Sequence, residues 1–206
     1  MTPVTPVTPE EIVRELVAIQ AVEFRPDPAT WFTWASGKRA PIYCDNRRIM
    51  SHPDVRARIA DALTHAVRTA YPDAEVIAGT ATAGIAPAAW ISERLGLPMV
   101  YVRGSRKDHG QGRLVEGRPL DGESVVLIED LISLGGSAES AISGLREEGG
   151  KVIGVQAIFS YGFPAARERF AALGVPWQAL TSYEVLLEVE APDEATLRVL
   201  RDWRLS

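Results

Sequence analysis

Cysteine is nearly absent from this chain of 206 residues, and its scarcity narrows the available chemistry. Cys44 is the only one, which excludes an intrachain disulfide and a cysteine-based metal cluster. Apolar runs of roughly 18 residues, the length that crosses a bilayer, are also missing. The first residues show neither the basic start nor the apolar core of a signal peptide. We therefore expect a cytoplasmic protein with no membrane partner, in a reducing compartment.

The chain also has fewer basic than acidic residues. Lys and Arg number 22 against 27 Asp and Glu, which gives a formal net charge of -5. Binding along a phosphate backbone normally leaves a basic surface, so we expect no nucleic-acid partner. Any anionic ligand must instead be held by a local basic patch. The 46% of hydrophobic and 24% of charged residues are typical of a globular protein, and the length suits one α/β domain.

Short strand-like runs alternate with segments of helical periodicity. The strand-like runs lie at 75–79, 98–102, 124–128, 151–159 and 177–180. Apolar residues recur at helical spacing at 10–22, 53–70, 85–95, 137–148, 164–173, 183–187 and 194–203. Strands that alternate with helices indicate parallel βαβ units. The pattern therefore predicts an α/β fold, with a central parallel sheet flanked by helices.

We predict one domain at residues 10–206, preceded by a flexible tail at 1–9 that contains several prolines. Two irregular regions interrupt this domain. The first, at about 24–50, contains aromatic and basic residues and predicts two short strands joined by a basic turn. The second, at about 103–117, shows no periodicity and contains glycines. A connection that long is usually functional, so we predict a mobile lid there.

The run from Val125 to Ser137 carries the most specific signal. An apolar strand delivers Glu129 and Asp130 to its C-terminal end, where ligands of parallel sheets bind. The glycine-rich turn that follows lets backbone N–H groups approach a phosphate, and the next helix adds positive potential. Ser133 and Ser137 add hydroxyl donors, while a carboxylate can accept hydrogen bonds from vicinal sugar hydroxyls. The run predicts a phosphate beside a ribose.

This run resembles the PRPP-binding signature of the type I phosphoribosyltransferases. The resemblance implies the fold of that family, with a small hood formed largely by the N-terminal region. It also implies a catalytic role for Asp130. PRPP contacts are implied at Glu129, Asp130, Leu131, Ile132, Ser133, Leu134, Gly135, Gly136 and Ser137. Leu134 stands where the family usually has a small residue.

A second turn of small residues, from Gly79 to Gly84, lies between a predicted strand and a predicted helix. Such a turn suits a second anion site, although glycine-bounded turns are also common structural punctuation. In the same family it resembles the pyrophosphate loop, which implies PRPP contacts at Thr82 and Ala83.

The long loop carries Arg103, Lys107 and His109 in a pattern that resembles the catalytic loop of the orotate phosphoribosyltransferases. The resemblance implies that all three bind PRPP and act in catalysis. It further implies a homodimer, in which each loop enters the neighbouring active site, and a Mg²⁺ ion held mainly by substrate oxygens. Cations above the departing pyrophosphate would stabilise its negative charge, and His109 could donate a proton. Without the resemblance, a solvated charged loop is the simpler interpretation.

The segment 32–47 resembles the hood that binds orotate in this family. The resemblance implies that the backbone around Tyr43 and Cys44, together with Ser133, contacts the base. Some members carry a lysine where Ala35 stands and an arginine where the Ser160-Tyr161-Gly162 sequence stands. The cations left as candidates for pairing the orotate carboxylate are Lys38, Arg39 and Arg47. A surface hairpin packed by aromatic residues is the alternative interpretation.

The expected activity is therefore transfer of the 5-phosphoribosyl group from PRPP to orotate, which gives orotidine 5'-monophosphate and pyrophosphate in pyrimidine (UMP) biosynthesis. Two alternatives remain open. A phosphoribosyltransferase for a purine or xanthine would keep the strand and phosphate turn but need a different hood. A non-catalytic regulator that senses PRPP would keep the PRPP site alone.

Overall fold

The computed structural model describes residues 7–34, 37–104, 113–190 and 193–205. Its first helix, α1 (Pro9–Ala18), begins with a reciprocal cap. The Thr8 hydroxyl accepts from the Glu11 N–H at 3.2 Å, and the Glu11 carboxylate accepts from the Thr8 N–H at 2.8 Å. Thr8 caps the helix and Pro9 is its first residue, so the ordered start of the domain lies two residues before the boundary predicted at 10.

The hood consists of four short strands that form two antiparallel pairs. They are β1 (Val22–Phe24), β2 (Phe32–Thr33), β3 (Arg39–Ala40) and β4 (Ile42–Cys44). β1 pairs with β4, and β2 pairs with β3. The two strands predicted on either side of the basic turn match β2 and β4 in position, but these two strands do not pair with each other. Their partners, β1 and β3, were missed because strands of two or three residues are too short to show a period.

The remaining helices and strands alternate as the sequence predicted. The strands are β5 (Val76–Thr80), β6 (Met99–Val102), β7 (Val115–Glu116), β8 (Ser124–Ile132), β9 (Lys151–Ser160) and β10 (Trp177–Ser182). The helices are α2 (Pro53–Ala70), α3 (Ile85–Leu95), α4 (Gly136–Glu147), α5 (Pro164–Leu173), α6 (Tyr183–Glu190) and α7 (Glu194–Leu205). The predicted bounds of α2, α3 and α5 are confirmed. Across the described ranges, no helix is both long and apolar enough to span a membrane.

The main sheet has six strands in the order β10-β9-β8-β5-β6-β7. All neighbouring strands are parallel except β7, which returns antiparallel to β6 and pairs Val115 with Val102. The central parallel sheet is thus confirmed. The unstructured loop predicted at about 103–117 was wrong at its C-terminal end, since a two-residue strand leaves no periodic signal. Residues 105–112 of that loop lie outside the described residues.

Hydrophobic side chains cover both faces of the main sheet, so that β8 is buried between two layers. Val126 and Ile128 pack with α1, α2, α3 and the hood, whereas Val125 and Leu127 pack with α4 and α5. Burial on both faces explains why the strand reads as a continuous apolar run. The strand also continues past the predicted end at 128 and reaches Ile132, which pairs with β9.

Candidate active site

Glu129 lies near the C-terminal end of β8 and points toward α4. Its side chain is buried, and its Oε1 accepts a hydrogen bond from the Ser137 hydroxyl at 3.0 Å. Burial, followed by the nearby charge of Asp130, raises the pKa of Glu129 to about 7. This carboxyl group therefore changes protonation state near neutral pH in the chain without substrate.

Asp130, the next residue, takes the opposite direction, as the alternation of a strand requires. Burial raises the pKa of this carboxyl group above its ordinary value. Its backbone carbonyl accepts a hydrogen bond of 2.6 Å from Nδ2 of Asn46, a buried residue of the hood. The sequence offered no signal for Asn46, because the two residues are 84 positions apart.

The predicted phosphate turn leads from β8 into α4. Gly135 adopts a φ of +79°, a left-handed conformation that side chains disfavour, and it precedes the first turn of the helix. The first N–H groups of a helix have no partners inside it, and here no side chain caps them in the described part of the chain. A Cβ atom at Gly136 would meet nothing within 4 Å, so the space in front of this helix end is open.

The surroundings of Leu134 and Ile132, two residues predicted to bind PRPP, determine which of their groups a ligand can reach. Leu134 directs its side chain to solvent, and its carbonyl accepts a hydrogen bond of 3.0 Å from Nε of Arg169. The larger side chain is therefore accommodated outside the turn. Ile132 is buried in the core, so it has only backbone groups to offer a ligand.

The predicted pyrophosphate turn connects β5 to α3 at the same edge of the sheet. The N–H of Ala81 donates to the carbonyl of Val102 at 2.8 Å, and the peptide bond between Ala81 and Thr82 is cis. Thr82 is exposed and Ala83 half-buried, as a binding turn requires. A Cβ at Gly84 would lie 2.5 Å from the carbonyl oxygen of Ile128, so only glycine fits where this turn touches β8.

Arg103 follows β6 directly and lies beside that turn in the sheet. Its N–H donates to the carbonyl of Leu114 at 2.9 Å, and its Nη1 donates to Oε1 of Glu116 at 3.2 Å. The structure thus places Arg103 at the ligand edge, with its charge partly balanced by Glu116. Lys107 and His109, the other predicted catalytic cations, lie outside the described residues.

A cavity of about 230 Å³ opens between the hood and the end of β8. It is lined by Trp34, Tyr43, Cys44, Leu131, Ser133 and Tyr161. The three residues predicted to contact the base are therefore brought together. Leu131, predicted to bind PRPP, also lines this cavity.

Trp34 and Tyr161 were missed as wall residues, and their ring centroids are 5.1 Å apart. The aromatic content of the hood hinted at Trp34, but nothing local linked it to Tyr161 after β9. Burial raises the pKa of Tyr161, so its hydroxyl stays protonated at neutral pH. Burial, with a contribution from the charge of Asp130, likewise raises the pKa of the Cys44 thiol well above its ordinary value. A protonated thiol is a poor nucleophile, which leaves Cys44 as a wall of the cavity.

The acid pair, the two turns predicted to bind anions and the small cavity meet at the carboxyl ends of parallel strands, where ligands of such sheets bind. The described residues contain no group of three or more His, Cys, Asp or Glu side chains that could hold a metal ion. A family model described as the phosphoribosyl transferase domain matches residues 45–176. The fold and this site together define a phosphoribosyltransferase.

Comparison with individual relatives shows to which family of phosphoribosyltransferases the chain belongs. The chain is 49% identical over 198 residues to an orotate phosphoribosyltransferase from Fusobacterium nucleatum, covering 94% of each chain. It is also 49% identical to one from Bacillus caldolyticus, covering 94% of this chain and 95% of that protein. The chain belongs to the orotate phosphoribosyltransferase family.

Solved structures agree with this assignment. The crystal structure of orotate phosphoribosyltransferase from Aeropyrum pernix superposes with a TM-score of 0.77 at 29% identity and covers 87% of this chain and 98% of that chain. UMP synthase from Leishmania donovani gives a TM-score of 0.76 at 26% identity and covers 95% of this chain and 42% of that chain. The fold expected from the resemblance is therefore confirmed.

Proposed function

We propose that this chain transfers the 5-phosphoribosyl group from PRPP to orotate, giving orotidine 5'-monophosphate and pyrophosphate in pyrimidine (UMP) biosynthesis. The observation that carries the proposal is the cavity of about 230 Å³ beside the acid pair and the phosphate turn. It is smaller than the roughly 300–1,000 Å³ of pockets for drug-sized ligands, and aromatic walls suit one flat ring. Ser133 and the hood backbone supply polar groups for the ring edge.

Each part of PRPP has a matching part of the site. The 5'-phosphate fits the open N-terminus of α4, where backbone N–H groups and the helix dipole favour an anion. The ribose hydroxyls fit Glu129 and Asp130, and the pyrophosphate fits the Thr82–Ala83 turn beside Arg103. Loss of pyrophosphate leaves positive charge on the sugar, which the nearby carboxylates stabilise before the base attacks from the opposite side.

We propose Mg²⁺ as the cofactor. A hard cation prefers oxygen ligands and often keeps substrate oxygens and water around it rather than a full protein cage. The carboxylates of Glu129 and Asp130 fit that chemistry, since both supply oxygen ligands at the end of β8, beside the proposed ribose site. When bound, the ion would neutralise part of the pyrophosphate charge.

We also propose a cytoplasmic homodimer whose loops complete the neighbouring active sites. Lys107 and His109 are the loop residues expected to act there. The support for this part is the resemblance of the loop together with the position of its described stem. Arg103 leaves β6 at the ligand edge of the sheet, and β7 brings the chain back beside it.

An assay with a panel of bases tests the activity. Purified protein is incubated with PRPP, Mg²⁺ and one of orotate, uracil, adenine, hypoxanthine or xanthine, and pyrophosphate release is followed. Orotate alone should support release. Turnover of a purine without orotate would overturn the proposal in favour of another phosphoribosyltransferase. PRPP binding without release for any base would favour the regulatory alternative.

A mixing experiment tests the shared sites. Lys107→Ala should lower kcat by a factor on the order of 100 without unfolding the protein, because its charge acts mainly in the transition state. Asp130→Asn should be inactive for a different reason, since it damages the sugar site. If loops cross between subunits, mixed dimers contain one site with both native residues and regain activity. No recovery in demonstrated mixed dimers would show that each site is complete within one chain.

A further inference from the structure

Orotate differs from uracil by a carboxylate on the ring carbon next to the nitrogen that attacks the sugar. That carboxylate must therefore lie where the base cavity meets the ribose site. None of the six residues that line the cavity is cationic. A buried or partly buried carboxylate without a cation would lose much of its solvation, so a positive group is needed at the rim.

The chain segment after β4 runs along this junction. Tyr43 and Cys44 line the base cavity, and Asn46, two residues later, is bound to the carbonyl of Asp130 at 2.6 Å. Asn46 is buried and bound to Asp130, so the backbone of the next residue, Arg47, is anchored beside that acid, while the Arg47 side chain is 59% exposed. The hydrogen bond and the charge of Asp45 are the main causes that raise the pKa of Arg47, with smaller contributions from Tyr43 and Asp130.

Asp45 orients the guanidinium group of Arg47 through two hydrogen bonds. Nε of Arg47 donates to Oδ1 of Asp45 at 2.6 Å, and Nη2 donates to Oδ2 at 3.0 Å. Asp45 itself is held, since Oδ1 also accepts the backbone N–H of Arg47 at 3.2 Å. The pairing occupies one edge of the planar guanidinium, and a guanidinium has five donors. The Nη1 side therefore remains available for a second anion.

The other two candidate cations, Lys38 and Arg39, make different contacts. Lys38 lies with its ammonium 5.1 Å from the ring centroid of Phe163 and 5.4 Å from that of Trp203, within an aromatic cluster. Arg39 is opposite Thr33 on the exposed face of the hood hairpin, and its guanidinium donates to the carbonyl of Pro28. Arg39 is thus engaged by the hood backbone, whereas Lys38 lies against an aromatic cluster that also contains Tyr161, behind the cavity wall.

We propose that Arg47 binds the carboxylate of orotate and thereby selects orotate over uncharged pyrimidines, with Asp45 as its positioning residue. This inference rests on the proposed function. The guanidinium would offer a planar donor edge to a planar carboxylate, an arrangement that is stronger and more directional than a point charge. The same bond would orient the ring so that its attacking nitrogen faces the sugar.

The test compares charged and neutral ligands on matched variants. Arg47→Gln, Arg47→Lys and Asp45→Asn are assayed with orotate, and the neutral orotate methyl ester is measured as a competitive inhibitor. Arg47→Gln should raise the KM for orotate about 10- to 100-fold, the usual range for a lost hydrogen bond to a charged group, and should leave the Ki of the ester unchanged. Arg47→Lys and Asp45→Asn should give smaller increases. Arg39→Gln and Lys38→Met are the controls and should retain the KM.

Each outcome decides between the possibilities. An unchanged KM for orotate in Arg47→Gln overturns the inference, as does an equal weakening of the ester and of orotate, which would indicate a structural role. A larger effect in Lys38→Met would assign the carboxylate to Lys38. If Arg47→Gln does not fold, the lysine variant decides, because it keeps the charge and loses only the planar donor edge. Wild-type protein that fails to use orotate contradicts the proposed function itself, whereas normal orotate use with an unaffected variant contradicts only this inference.

Discussion

Asn46 in the hood donates a hydrogen bond of 2.6 Å from its Nδ2 to the backbone carbonyl of Asp130 at the end of β8. The bond joins the hood, proposed to bind the base, to the strand that carries the two acids proposed to bind the sugar. Asn46 is buried, so water does not readily replace it as a donor. In the proposed complex, the relative position of base and ribose therefore depends in part on this one side chain.

Replacing Asn46 by alanine should weaken both the fold and catalysis. An unsatisfied buried carbonyl typically costs about 1–3 kcal/mol, so the free energy of unfolding should fall by that amount. The kcat/KM for orotate should also fall, because the hood would no longer be held in position against Asp130. Urea unfolding and steady-state kinetics measure the two effects. Thr33→Ser, at an exposed position of the hood strand β2, is the control and should change neither quantity.

Replacing Glu129 by glutamine should alter how stability depends on pH. The pKa of Glu129 is about 7 in the folded chain against an ordinary value of 4.5, so the folded state keeps its proton when the unfolded state has lost it. The free energy of unfolding should consequently fall by about 1–3 kcal/mol as pH rises from about 4.5 to 7. Glu129→Gln should reduce this slope in urea titrations at several pH values, and the raised pKa of Asp130 should leave a residual slope.

A matched control separates Glu129 from the other acids. Glu93→Gln on the exposed face of α3 should keep the slope of the wild type. An undiminished slope in Glu129→Gln would show that Glu129 is not the group that titrates in this pH range.

Replacing Glu116 by glutamine should strengthen the contact of Arg103 with pyrophosphate. Glu116 accepts a hydrogen bond of 3.2 Å from Arg103 and would compete with the proposed leaving group for the charge of that arginine. In the reverse reaction, the KM for pyrophosphate should fall about twofold to fivefold, as expected for a partly exposed ion pair. Glu148→Gln affects the looser Arg113 pair at 3.9 Å and should leave that KM unchanged. A rise in the KM would mean that Glu116 positions Arg103 instead of restraining it.

Two glycine replacements should separate folding from phosphate binding. A Cβ at Gly84 would collide with the Ile128 carbonyl at 2.5 Å, so Gly84→Ala should destabilise the protein by about 1–3 kcal/mol or more. A Cβ at Gly136 meets no protein atom within 4 Å, so Gly136→Ala should retain the wild-type Tm. Its methyl group would nevertheless enter the space proposed for the 5'-phosphate and raise the KM for PRPP. Thermal melts and kinetics on the same samples test both expectations, and an unchanged KM in Gly136→Ala would move the phosphate elsewhere.

Local sequence patterns were sufficient to predict much of the fold. The helices at Pro53–Ala70, Ile85–Leu95 and Pro164–Leu173 begin and end as their apolar spacing and their flanking proline or glycine predicted. The strand before Glu129 was recognisable because burial on both faces requires a continuous apolar run. Chemistry that needs adjacent residues, such as an acid pair before a glycine turn, was visible in the same way.

Tertiary structure decided what depends on distant residues. β1, β3 and β7 are too short to leave a period, so only their partners reveal them. Trp34 and Tyr161 pack against each other in the wall of the small cavity although more than a hundred positions separate them, and Asn46 contacts Asp130 across 84 positions. The sequence by itself determined the alternating elements and the phosphate turn, because these depend on neighbours along the chain. The packing of the hood against the sheet decided the walls of the cavity. It also guided the choice of the cation proposed to bind the orotate carboxylate, among Lys38, Arg39 and Arg47. No local periodicity encodes such long-range contacts.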